Sequence, residues 1–295
     1  MNVTWLRLAS TLTPALMLLG ACSAGGSSTS LSADTTTGSG AGGATSGSEV
    51  GSTSNSTLSG DPNLTVGAGL GNGGSSGSGD GTGGGVNCNG ELPVTIRDFT
   101  TSNHDFEPGS DGDDKNIVTD TLGDDGKPVY AGGNGTLTTH GKASFDQWYR
   151  DVNGANINIP KTLQLTMGAN GLYTYDNQAF FPIDGEGFGN EGNNHNFHFT
   201  DEVHTVFTYK GGEAFTFTGD DDLFAYINKK LVINLGGVHS AETTTVKLDE
   251  VASKLGLVKG QKYPLDLFGA ERHVTESHYR IDTTIDCFMP PPPPK

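Results

Sequence analysis

Gly219-Asp220-Asp221-Asp222-Leu223-Phe224-Ala225-Tyr226-Ile227-Asn228-Lys229-Lys230-Leu231-Val232-Ile233-Asn234-Leu235-Gly236-Gly237-Val238-His239 is the stretch that decides how this chain is read. Three carboxylates follow a glycine. A strand pattern runs through Phe224 and Tyr226 and turns at Asn228-Lys229-Lys230. It returns through Leu231 to Leu235 and stops at a double glycine and a histidine. Such a hairpin holds an acidic turn at one end of a sheet. Adjacent carboxylates repel, and either solvent or a bound hard cation must offset the repulsion.

The same period of two recurs outward from this hairpin. Val94 and Ile96 alternate with Thr95 and Arg97, and Leu163 and Leu165 with Gln164 and Thr166. Val203, Thr205, Phe207 and Tyr209 share one face, and Phe215 and Phe217 another. Punctuated by pairs such as Gly211-Gly212, the pattern predicts antiparallel strands with one buried face. Two helical stretches interrupt it. Ser144-Phe145-Asp146-Gln147 matches a capping box and predicts a helix onward through Trp148 and Tyr149. Leu248, Val251, Ala252 and Leu255 keep helical spacing, with Gly256 as the residue that ends the helix. The fold class is therefore all-β, an antiparallel β-sandwich with two short helices on connections.

The hairpin resembles the core of the PA14 superfamily of β-sandwich domains, and more closely its fibro-slime branch. Asp220 and Asp221 fall at that family's Asp-Asp pair and Asn228 at its turn. The branch resemblance extends over Val94-Thr95-Ile96-Arg97-Asp98-Phe99, Asp105-Phe106-Glu107, Phe145-Asp146-Gln147-Trp148-Tyr149, Phe180-Phe181-Pro182-Ile183-Asp184-Gly185, Asn196-Phe197-His198-Phe199-Thr200, Leu235-Gly236-Gly237-Val238-His239 and Glu271-Arg272-His273. In sugar-binding PA14 members a cis peptide joins the two aspartates, both side chains hold Ca²⁺, and sugar hydroxyls complete the shell. The resemblance thus implies that Asp220 and Asp221 are calcium ligands. A solvated acidic turn, or aspartates capping backbone amides, is the alternative.

Residues 1–21 carry one positive residue, Arg7, and an apolar run too short for a membrane span, and they are read as a secretory signal. Leu19-Gly20-Ala21-Cys22 looks like a bacterial lipobox, which implies lipidation of Cys22 and, with Ser23 following, delivery to the outer membrane, facing the cell surface or the periplasm. A plain signal peptide is the alternative. Residues 22–86 are nearly all Gly, Ser, Thr, Ala and Asn, with no Lys or Arg. Apolar surface is too sparse there to offset chain entropy. As a coil the segment spans roughly 40–50 Å and is read as a tether. Asn55-Ser56-Thr57 and Asn63-Leu64-Thr65 are taken as chance glycosylation matches. Residues 87–289 are the folded unit, and 290–295 a proline-rich tail. With Cys22 assigned to lipid, Cys88 and Cys287 bracket that unit. In an oxidising compartment they are expected to pair, two free thiols being the alternative.

His239 follows two glycines that let backbone approach a ligand, and it is read as a ligand-binding candidate or a hydrogen-bonded structural histidine. Glu271 and Arg272 are read as an ion pair fixing a loop. The loop from Gly185 to His195 lacks EF-hand spacing, and His195 and His198 lack a third zinc ligand. Asp111-Gly112-Asp113-Asp114 and Asp124-Asp125-Gly126 read as turns. The sequence contains no nucleophile elbow, His-Glu-X-X-His motif or phosphate-cradling glycine loop. A net charge of −17 argues against nucleic acid. The expected function is a non-enzymatic, calcium-dependent module binding polysaccharide or a cell-surface glycan. The alternatives are a glycoside hydrolase-like enzyme using two carboxylates, or a purely structural matrix or envelope protein.

Overall fold

The computed structural model describes residues 88–292 and the backbone of a strand at Leu64–Val66. The strands in chain order are β1 (Leu64–Val66), β2 (Glu91–Asp98), β3 (Gly112–Asp113), β4 (Ile157–Gln164), β5 (Thr166–Met167), β6 (Tyr173–Asn177), β7 (Phe199–Thr208), β8 (Ala214–Gly219), β9 (Asp222–Ile227), β10 (Lys230–Leu235), β11 (Gly237–Val238), β12 (Glu242–Lys247), β13 (Lys262–Glu271) and β14 (Tyr279–Thr283). The helices are α1 (Lys142–Phe145) and α2 (Leu248–Leu255). A seven-stranded sheet runs β1-β4-β2-β7-β13-β9-β10 and a five-stranded one β12-β8-β14-β6-β5, with a small β11-β3 ladder beside them. Every neighbouring pair is antiparallel. The stretch read as a tether thus contributes one described strand, β1, paired to β4 from Leu64 opposite Leu163. The proposed signal and Cys22 lie outside the described residues.

The main core forms where the inward faces of the two sheets meet. Val94, Ile96, Val203, Phe207, Ala225, Ile227, Leu265 and Leu267 come from the large sheet, and Tyr175, Phe215, Phe217, Tyr279 and Ile281 from the small one. Val94, Ile96, Val203, Phe207, Phe215 and Phe217 among them were picked out by alternation. The expectation of a single buried face fails on the large sheet, however. Phe224, Tyr226, Phe268 and Ala270 point the other way and are equally buried. The long excursion between β2 and β4 folds over that outer face and packs Phe99, Phe106, Ile117, Phe145, Trp148 and Tyr149 against them. All six residues of β9 are consequently buried. Arg97, expected to face solvent, is instead buried under the excursion, with Nη1 donating to Glu202 at 2.6 Å and Nε to Asp151 at 2.8 Å.

Local chemistry sets the elements as expected in two places. Asn228 and Lys229, at φ 51° and 65°, turn the β9–β10 hairpin, because a two-residue hairpin loop needs positive φ at both positions. Gly256 closes α2 at φ 72°. In a third place the expectation is corrected. The helix near Trp148 starts at Lys142 and ends at Phe145, with Gly141 as its N-cap and no capping side chain, so Ser144 sits inside it and Trp148 and Tyr149 lie on the turns beyond. Gly112 and Asp113, read as part of a turn, form β3. Cys88 and Cys287 are joined by a disulfide between residues 199 apart, which ties the approach to β2 to the chain leaving β14. Met289 then bridges to Val206, so the chain is held in the sheet up to the point where the tail was expected to begin.

Candidate functional site

The chain passes between the two sheets three times at one end of the sandwich. Gly219 ends β8 in the small sheet and Asp222 begins β9 in the large one, so Asp220 and Asp221 are the whole link. Residues 272–278 return the chain from β13 to β14, and residues 236–241 carry it from β10 through β11 to β12. The three consecutive aspartates stitch these crossings together. Asp220 Oδ1 accepts the His278 amide at 2.6 Å, and its Oδ2 lies 2.8 Å from His278 Nδ1. Asp221 accepts the Arg272 amide at 3.1 Å and the His239 amide at 3.2 Å. Asp222 accepts the Gly237 amide at 2.8 Å and Arg272 Nε at 2.6 Å. The peptide bond between Asp220 and Asp221 is cis.

Arg272 is the hub behind this link. Wholly buried, it donates to Asp222, to the carbonyls of Asp105 and Thr138 at 3.1 and 2.8 Å, and to the Thr138 hydroxyl at 3.1 Å. Its guanidinium lies 4.8 Å from the centre of the Trp148 ring. Asp105 in turn accepts Trp148 Nε1 at 3.1 Å and the His140 amide at 2.6 Å. Asp105, Trp148 and Arg272, scattered across the sequence, form one buried unit that anchors the excursion to the aspartate link. The expected Glu271–Arg272 ion pair is not formed. Neighbours on a strand point to opposite faces. Arg272 therefore turns to Asp222, and Glu271 faces the interior with no hydrogen-bond partner on either carboxylate oxygen.

This leaves more buried negative charge than positive. Asp221, Asp222 and Glu271 are all buried, and the single guanidinium beside them is bonded to Asp222. Burial pushes the Asp221 carboxyl up to about 8, with Arg272 opposing and Asp222 adding to the shift. Burial also raises Asp222 against the pull of Arg272. Glu271 is pushed well above the usual carboxylate range by burial and by the charges of Asp221 and Asp220. The Ser277 hydroxyl donates to the Phe180 carbonyl at 2.8 Å.

Asp220 and Asp221 open onto a cleft of about 560 Å³ whose rim carries Asp111, His239, Ser240, His273, Thr275 and Glu276. Carboxylates and hydroxyls predominate among these donors, which is the chemistry a hard cation such as Ca²⁺ requires. The unpartnered carboxylate of Glu271 behind the link is consistent with a missing positive charge. On both counts the residues fit a calcium ion held by Asp220 and Asp221. His239 reaches the cleft, but its ring nitrogens lie 3.0 and 3.2 Å from the carbonyls of Ser240 and Leu235. Its backbone amide is what meets Asp221. The two glycines before it serve the β3 ladder rather than a ligand, since a Cβ on Gly237 would lie 2.3 Å from the Gly112 carbonyl. Asp111, Thr275, Glu276 and His278 were missed in the sequence because no motif marks them. The position of Thr275, Glu276 and His278 follows only from the pairing of Gly219 with Tyr279 and of Asp222 with Ala270, and that of Asp111 from the pairing of Gly112 with Val238.

Residues 174–285 match the PA14 domain family. The match runs from β6 through β14 and contains the aspartate link, both hairpin strands and the loop 272–278. The chain is 43% identical over 212 residues to Protein psiR of Dictyostelium discoideum, covering 66% of this chain and 21% of that protein. It is 40% identical over 211 residues to Protein psiD of the same organism, covering 66% and 41%. The chain therefore spans between about a fifth and two fifths of the length of these relatives, which come from an amoeba and not from a bacterium. Among solved structures, the PA14 domain of the MpAFP antifreeze protein aligns with a TM-score of 0.31 at 9% identity over 71% of this chain and 88% of that one. The PA14 sugar-binding domain from an RTX adhesin aligns at 0.29 and 10% over 65% and 89%. The fold is an antiparallel β-sandwich, and its part from 174 to 285 is similar to the PA14 domain family.

Proposed function

We propose that this protein is a non-catalytic recognition module of the fibro-slime branch, which binds a polysaccharide or cell-surface glycan in a calcium-dependent manner through the cleft at Asp220 and Asp221. The observation that carries the reading is the acidic link itself. Two adjacent carboxylates are fixed by three amides from the two neighbouring crossings, open to a solvent cleft, and backed by buried acids that one arginine does not neutralise. Bound there, Ca²⁺ would supply open coordination positions for paired sugar hydroxyls. The chain's own part is to hold the two carboxylates rigid and to shape the rim with Asp111, Thr275 and Glu276, so that little ordering is left for the moment of binding. Attachment to a bacterial outer membrane through Cys22 remains part of the proposal, and the stretch read as a tether would let several weak sites engage one polymer together.

The pH dependence follows from Asp221. Its folded pKa is raised above the unfolded value, so the ion-free fold loses stability as pH rises from about 4 toward 8. Calcium requires the deprotonated carboxylate, so binding releases a proton and its apparent affinity rises across pH 6 to 8. A glycan array probed with the full chain at pH 8 is expected to show calcium-dependent binding that chelator removes and that Asp221→Ala abolishes. Glycan signals of equal strength in chelator would defeat the calcium mechanism. An array with no binding in either condition would leave the structural role in the matrix as the better reading.

A further inference from the structure

The loop 272–278 has a cleft on each side. One is the aspartate cleft. The other, of about 460 Å³, is lined by Gln178, Phe181, Asn193, Asn194, His195 and Phe197, and the two share Thr275 and Glu276 as a common wall. His278 lines the second cleft while its ring bonds Asp220 of the first. The two cavities are therefore neighbours across a thin partition, and each lies in the volume range of a small-ligand site.

The second cleft contains a built aromatic platform. The rings of Phe181 and His195 are parallel to within 4°, with centroids 3.8 Å apart. Phe197 meets both edge-on, at 5.0 and 6.1 Å. His195 Nδ1 lies 2.7 Å from Asp184 Oδ2, and the other oxygen of Asp184 accepts the Asn196 amide at 2.7 Å, so the imidazole is fixed in plane. The two stacked rings are not core, although Phe197 beneath them is buried. The His195 side chain is 43% exposed, and Phe181 is half-buried, outside both hydrophobic clusters. An aromatic pair held flat at the wall of a cleft leaves ring surface facing that cleft.

We propose that this platform is a second sugar subsite, in which a pyranose ring adjoining the one at Asp220 and Asp221 packs its C–H face on the Phe181–His195 stack. The fit is chemical. The C–H face of a pyranose is weakly positive and apolar and complements the negative face of an aromatic ring. The amides of Gln178, Asn193 and Asn194 around it offer both donors and acceptors, as sugar hydroxyls require. The subsite rests on the glycan reading of the aspartate cleft. It adds that the ligand is an oligosaccharide of at least two residues, with the acidic link choosing one sugar and the glycine- and asparagine-rich loop 185–195 choosing the next.

The test uses the full chain, in calcium, on an array of defined mono- to tetrasaccharides, beside Asp221→Ala and three variants of the platform. His195→Ala removes half the stack, and Phe181→Leu keeps apolar volume without a ring face. His195→Phe restores an aromatic partner. Truncating an aromatic anchor at the centre of a site typically costs tenfold or more in affinity. His195→Ala and Phe181→Leu are expected to lower binding of di- and larger saccharides about tenfold, leave monosaccharide binding and the calcium response unchanged, and be rescued in part by His195→Phe. Unchanged oligosaccharide binding in both variants, with folding verified by thermal melting, overturns the subsite while leaving the calcium site intact. Loss of monosaccharide and oligosaccharide signal alike also overturns it. If the wild type binds no saccharide, the glycan reading fails and the subsite fails with it. If binding survives Asp221→Ala but falls in His195→Ala, the platform stands without the calcium mechanism.

Discussion

Arg272→Ala is expected to destabilise the fold by about 3–5 kcal/mol, the cost of removing one partner from a buried ion pair. The reason is what the side chain leaves behind. Asp222 has no exposure and keeps only the Gly237 amide once Nε is gone, and the carbonyls of Asp105 and Thr138 lose their donors inside the protein. Trp148 loses the cation on its face as well. Lysine is no substitute, because a single ammonium cannot reproduce a planar fork that reaches Asp222, two carbonyls and a hydroxyl at once. Arg272→Lys should therefore fall short of wild type. Urea denaturation of the two variants beside wild type gives the answer through the transition midpoint. A change below about 1 kcal/mol for the alanine variant would mean that Arg272 is not the hub described here.

Opening the disulfide is expected to be the other large effect. Cys88 precedes the strand that enters the large sheet and Cys287 follows the last strand of the small one. The bond closes a loop of nearly the whole folded unit, and loss of such a cross-link typically costs about 2–5 kcal/mol, chiefly through the entropy of the unfolded chain in the loop-closure account. Cys88→Ser with Cys287→Ser should lower the denaturation midpoint by that amount, and reductant should lower the wild type to match. If reductant leaves the wild-type midpoint unmoved, the cross-link contributes nothing in solution. The aspartate cleft should survive in the double variant under native conditions, because the amides that fix Asp220 and Asp221 come from His239, Arg272 and His278, on crossings held by the pairing of β9 with β13 and of β8 with β14.

How much of this was legible in the sequence depends on the range of the signal. Alternation is local, and it marked Val94, Ile96, Val203, Phe207, Phe215 and Phe217 as inward-facing. The turn at Asn228 and the stop at Gly256 are also local, and they follow from φ alone. What alternation cannot express is a second layer. Phe224 and Tyr226 lie on opposite sides of their strand from Leu223 and Ala225, yet all four are buried, because a segment more than seventy residues earlier covers the outer face. Arg97 and Glu202 were hidden by the same layer. The capping-box reading at Ser144 failed because Gly141, at φ 103°, starts the helix three residues sooner without a side-chain cap.

The candidate site divides along the same line. Asp220 and Asp221 were visible as adjacent charges. Their partners were not, since an amide donor carries no residue-type signature, and His278 and Arg272 reach the link only because β13 and β14 flank it. The Glu271–Arg272 pairing was misjudged from adjacency, where strand geometry sends neighbours to opposite faces. Phe181 and His195 were each in view, fourteen residues apart, but nothing in their spacing announces a stack.

The most direct test of the account is calorimetric titration of Ca²⁺ into the full chain at pH 8, with Asp221→Ala alongside. One saturable site, lost in the variant and accompanied by a rise in melting temperature that grows with calcium concentration, is the expected result. The absence of both heat and thermal shift in the wild type would contradict the claim that the acidic link at the sheet crossing is a cation site.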